Sequence, residues 1–107
     1  MISTLVKNAL GNLTLPNYFI TRSSDKSECI VYNYVATPSW SADNEEKATK
    51  YTVMVNLYCK SNIEKNKKDI IESMQKAGFI RKSVASTVVN DTGFFCTALT
   101  FVIVLHN

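Results

Sequence analysis

Residues 39–62, SWSADNEEKATKYTVMVNLYCKSN, set an acid-rich polar stretch beside the cleanest strand pattern in the chain. Tyr51, Val53, Val55, Leu57 and Cys59 alternate with Thr52, Met54, Asn56 and Tyr58. Successive side chains of a strand point to opposite faces, so this period of two predicts a half-buried strand over 51–59. One of its sides rests on a core, and the other meets water or another chain. Residues 37–49, just before it, lack the alternation and read as a long polar loop.

Downstream, residues 61–79, SNIEKNKKDIIESMQKAGF, have helical spacing. Ile63, Ile70, Ile71, Met74 and Ala77 share a stripe, with Lys65, Lys68, Glu72 and Lys76 largely on the wet side. Ser61 and Glu64 stand at capping-box spacing. Gly78 closes the helix, with Phe79 folded back onto its last turn. Upstream, ECIVYNYVA (28–36) is apolar on both faces and reads as a strand covered partly on each. Ile2, Leu5, Val6, Ala9 and Leu10 predict a first helix ending before Asn12, with Gly11 as a left-handed cap. NYFIT after Pro16 reads as a short strand and SSDKSE as a turn. SVASTVV (83–89), the turn NDTG and FFCTALTFVIVL complete a C-terminal hairpin. The expected fold is therefore α+β: an antiparallel sheet of about four strands, two helices on one face, order α-β-β-α-β-β.

At 107 residues the chain reads as one domain, 1–107, with a single core. It is 46% hydrophobic and 20% charged, with 3 Gly and 2 Pro, which excludes a low-complexity or collagen-like chain. The opening MISTLVKNAL lacks a basic segment and a cleavage site, so it reads as a helix of the fold and not as a signal peptide. The longest apolar run, FVIVL, is strand-sized, and no membrane partner is expected. Cys29, Cys59 and Cys96 cannot all pair in one chain and are not spaced as a metal knuckle. They read as small buried hydrophobes in a reducing compartment, with no metal and no cofactor.

Charge is unevenly distributed. Residues 1–46 carry three bases and five acids, a net of −2, whereas residues 47–107 carry nine bases and four acids, a net of +5. A solvated surface gives such polarity by accident, but it also suits a subunit whose acidic patch meets the basic patch of its copy. Glu45 and Glu46 are not fixed at the separation that a carboxylate pair needs for glycoside chemistry. His106 has no evident orienting group that would make it a general base toward a cysteine. No nucleotide, metalloprotease or calcium motif is present, and the chain does not read as an enzyme. Lys65, Lys67, Lys68, Arg81 and Lys82 form a basic face open to phosphate, yet Glu64, Asp69 and Glu72 interleave with the helical lysines as on an ordinary exposed helix. Trp40, alone in a polar stretch, is either tucked over a sheet edge or offered to a partner.

Taken together, WSADNEE (40–46), the strand YTVMVNLY (51–58) with the following Ser61-Asn62, the lysine-rich helix ending in MQKAGF and the hairpin NDTGFFCTALTF resemble the small tail-terminator, or tail-completion, proteins of long-tailed bacteriophages and their prophage and bacteriocin relatives. The resemblance spans residues 18–101. It implies a non-enzymatic α+β subunit made in the bacterial host cytoplasm and incorporated into the virion tail. Such subunits form a ring, usually hexameric, at the head-proximal end of the tail tube, stop tube polymerisation and offer a surface to the neck of the head. The implied partners are copies of itself, the tail tube protein, sheath and head–tail connector proteins, and DNA as passing cargo. A head–tail connector adaptor is the neighbouring alternative and a small nucleic-acid-binding module the more distant one. On the ring reading, the loop 37–49, with Trp40 as apolar anchor and Asp43, Glu45 and Glu46 as its acids, is an arm that reaches a neighbouring subunit or the tube, where Glu45 and Glu46 face lysines such as Lys65, Lys67 or Lys68.

Overall fold

The computed structural model describes residues 2–21, 28–42 and 45–106. Two helices and six strands follow the order α1 (Ile2–Gly11), β1 (Asn17–Phe19), β2 (Cys29–Ala42), β3 (Glu45–Cys59), α2 (Ile63–Lys76), β4 (Ile80–Val84), β5 (Val88–Val89) and β6 (Phe95–His106). The α+β class and the two helices are as expected. The sheet is larger than the sequence pattern suggested, with strand order β1-β2-β3-β6-β4 and β5 also paired to β6. All pairings are antiparallel except β1 with β2, which is parallel and is tied by Ile30 N–H to Pro16 O (2.8 Å) and Ile20 N–H to Tyr32 O (2.9 Å). SVASTVV contributes to two strands, β4 and β5, separated by residues 85–87.

Strand alternation sorts the sheet into a covered and an open face. Ile30 and Tyr32 of β2 stand opposite Leu57 and Val55 of β3, and Val53 and Val55 stand opposite Phe101 and Leu99 of β6. All are buried, together with Ile2, Val6, Ala9 and Leu10 of α1 and Ile70 and Met74 of α2, in one core. The helices thus lie on the same face. Ser73 Oγ of α2 donates to Ala9 O of α1 and fastens them to each other. The end of α2 follows the pattern read from AGF. Gly78 adopts φ +98°, its N–H donates to Gln75 O (3.0 Å), and Phe79 N–H donates to Met74 O (3.0 Å). This is the Schellman arrangement, and it turns Phe79 into the core beside Met74.

Three local expectations are corrected. Gly11 is helical and not left-handed. Ser61 and Glu64 form no capping box: Asn62 is the N-cap residue, in a left-handed conformation (φ 57°, ψ 36°), with no side-chain cap bond. The third correction is the largest, because residues 37–42 and 45–49 are not a loop. β2 runs to Ala42 and β3 starts at Glu45, so they form one hairpin of 14- and 15-residue strands. Strands of that length span about 45–50 Å, and the molecule measures 52 × 24 × 23 Å.

Candidate assembly interface

Beyond the core the hairpin loses its neighbours. β1 reaches only Tyr32 on one side of it, and β6 ends opposite Ala48 on the other. Residues 40–42 of β2 therefore pair only with β3, at Ala48, Glu46 and Glu45, as a two-stranded arm. Trp40 stands opposite Ala48 between two register shifts, Ser41 opposite Glu46 and Ala42 opposite Glu45. Bulges of this kind sharpen the local twist and re-aim side chains. Asp43 lies outside the described residues. Trp40, Glu45 and Glu46 are thus brought onto one arm, though on strands and not in the loop that composition suggested.

Lys65, Lys67 and Lys68 occupy the first half of α2. Each already has an acidic neighbour along the helix: Lys65 Nζ to Asp69 Oδ2 at 3.0 Å, Lys67 Nζ to Glu64 Oε2 at 3.1 Å, and Lys68 Nζ to Glu72 Oε1 at 3.9 Å. These are surface pairs of the i,i+3 and i,i+4 kind, each contributing only about 0.3–0.5 kcal/mol.

Arm and lysines do not meet within one chain. α2 reaches the sheet edge near Val84, which stands opposite Leu99, which in turn faces Val55. From Val55 to Glu45 is about 33 Å of strand, at ~3.3 Å per residue. The arm continues the sheet away from the helices and has no route back.

At that edge lies a groove of about 420 Å³ between α2 and β4, a feature the sequence reading did not single out. Ile71 and Val84 supply its half-buried apolar floor, and Lys67, Lys68 and Arg81 its basic rim, with Glu64 and Glu72 present as the lysines' partners. Arg81 is exposed and enters no ion pair among the described residues. Its place in a basic cluster was visible in the sequence. The apolar floor was not, because it exists only once β4 has paired with β6.

The open face of the sheet is a second surface. Val35 (52% exposed), Val104 (47%) and Ile80 (66%) stand on it among Met54, Ala98, Thr100 and Val102. At its lower end Phe94 is buried beneath Lys60, whose Nζ lies 5.0 Å from the ring centroid. On the covered face, past the helices, Phe19, Tyr34 and Tyr51 form a partly exposed aromatic row, with ring centroids 5.6 and 6.1 Å apart along it.

Cys29 and Cys59 are buried, Cys96 is half-buried, and none is in a disulfide. Burial pushes the Cys59 thiol above its ordinary value. Glu28 and Cys96 push the same way, and a hydrogen bond from Asn66 opposes them. Burial, and then Tyr34, raise Tyr32. Both groups are thereby held neutral, as packing residues require. Among the described residues no three His, Cys, Asp or Glu side chains gather as a metal site, and no helix is long and apolar enough to cross a membrane. Compared with known protein families and with curated proteins, the chain matches none.

Proposed function

We propose that this chain is a structural subunit of the tail-terminator type, acting through contacts between copies and with a polymer end. In this reading copies close into a ring, a hexamer by the resemblance, on the head-proximal tip of a tail tube. The ring blocks further addition of tube subunits and presents a surface to connector proteins, while DNA passes through it unread. The observation that carries the reading is the arm. A domain of this size extends 52 Å along one axis because two strands leave the core and go on as a pair. Such a pair is marginal alone, and a neighbouring molecule gives it the cover its own chain does not. The arm is acidic where the helical body is basic, a polarity that suits a head-to-tail contact repeated by rotation.

Electron microscopy of tails assembled with and without the protein tests this. Tubes of uncontrolled length in its absence, and rings at the tube tip in its presence, are expected. Tails of normal length that still join heads without it overturn the proposal. Recovery of the protein with DNA-filled heads, and not with free tails, assigns it to the connector instead.

A further inference from the structure

We propose that the groove between α2 and β4 is the seat for the arm of a second copy. The inference rests on the assembly reading above and adds to it the receiving residues. Three observations point to this occupant. The first is shape: the groove is at the far sheet edge from β2, so a neighbour set head-to-tail brings its arm to this side and leaves its own groove for the next copy. The second is charge: Glu45 and Glu46 against Lys47 give the described residues of the arm a net of −1. Around the groove Lys67 and Lys68 are balanced by Glu64 and Glu72, which leaves Arg81 as the uncompensated cation, with Lys82 beside it in sequence. The third is the match of anchor to floor: the arm carries the chain's one Trp, and Ile71 with Val84 offers an apolar surface between charged walls. Interfaces commonly combine such an aromatic anchor with a charged rim that fixes register.

Arg81 thus has the role the helical lysines were expected to fill. The lysines are already engaged, and Lys67 and Lys68 line the groove. A planar guanidinium suits a carboxylate partner, since it presents two parallel N–H donors.

The test places a photoreactive benzophenone residue at the exposed position 68 in the full chain. Light- and heavy-isotope copies are mixed, free at high concentration and bound to tail tubes, then irradiated and mapped by mass spectrometry. Mixed-isotope adducts joining residue 68 to the segment 39–47 are expected. Arg81→Glu should lower their yield about threefold, the size of one rim ion pair, and Glu46→Arg in the same chain should restore it. Circular dichroism of each variant confirms that the fold persists. Adducts mapping elsewhere overturn the seat, as does the lack of any intermolecular adduct in both states. Adducts elsewhere with tail length still controlled refute the seat alone. Adducts in place with tails indifferent to the protein refute the terminator reading and leave the seat standing.

Discussion

Two glycines show how differently one residue type acts at the residue scale. Gly78 has φ +98°, a region in which a side chain is strained, although a Cβ there would meet only Ile103 Cδ1 at an ordinary 3.6 Å. Conformation and not space is the obstacle. Gly78→Ala should cost about 1–2 kcal/mol, read as a lower urea midpoint with unchanged slope. Gly11 is helical and nothing lies within 4 Å of its added Cβ. Gly11→Ala should therefore stabilise by about 0.5 kcal/mol, by restricting the unfolded chain. If both substitutions move the midpoint the same way, the conformational account of one of them is wrong. Cys59 makes a separate prediction. Its folded-state value lies above the ordinary 9.0, so the folded chain holds the thiol proton more tightly than the unfolded chain does. That stabilisation is complete below the unfolded value and is lost as pH rises through the folded one. Stability should fall above about pH 9, and Cys59→Ala should flatten the first part of the fall, followed by urea titrations at stepped pH.

Among the elements, β2 is the one exposed to unwanted pairing, and its sequence guards it. Ile30 N–H and Tyr32 O bond toward β1, so residues of the same parity, Tyr34, Ala36 and Pro38, direct their backbone groups to the outer edge. The Tyr34 amide is already taken by Asn33 Oδ1 at 2.8 Å, and Pro38 has none. Acceptors remain while two of these three positions offer no free donor, a way in which natural sheet edges discourage edge-to-edge growth. Asn33→Thr with Pro38→Thr should release two donors and raise the rate of aggregation, seen by light scattering and thioflavin fluorescence. An unchanged rate means this edge is not the vulnerable one. The same residues explain why the arm was hidden in the sequence. A period of two is legible where one face must be apolar, as from Tyr51 to Cys59; past the core nothing imposes it, and register shifts at Pro38 and Trp40 break what remains. Proline and a polar run then look like a turn. The helices, the Gly78 closure and the last hairpin were legible because each has a local chemical signature. The α2–β4 groove had none, since Ile71 and Val84 meet only through long-range pairing of the sheet.

For the whole molecule, the arm's direction is the property on which assembly depends, and it can be measured without any partner. A compact chain of this length has a radius of gyration near 13 Å; the Cα atoms here give 14.8 Å, with a long axis of 52 Å. Small-angle scattering extrapolated to infinite dilution should show that excess and a maximum dimension at or above the long axis. Replacing residues 39–47 by an Asn-Gly turn, the two-residue closure that suits a hairpin, should shorten the maximum dimension by about 10–13 Å, at ~3.3 Å per residue for the three or four residues removed from each strand. The core should survive, because the buried strand residues nearest the arm are Ala48 and Thr49 and the rest lie further in. An arm already extended in the free chain loses little conformational freedom when a neighbour receives it, so association is not burdened by ordering it first. An arm that instead lies against its own body must detach before it can dock, and association would then slow while the radius falls toward the compact value. A measured radius near 13 Å for the intact chain, unchanged by the excision, removes the projecting arm and with it the head-to-tail contact built upon it.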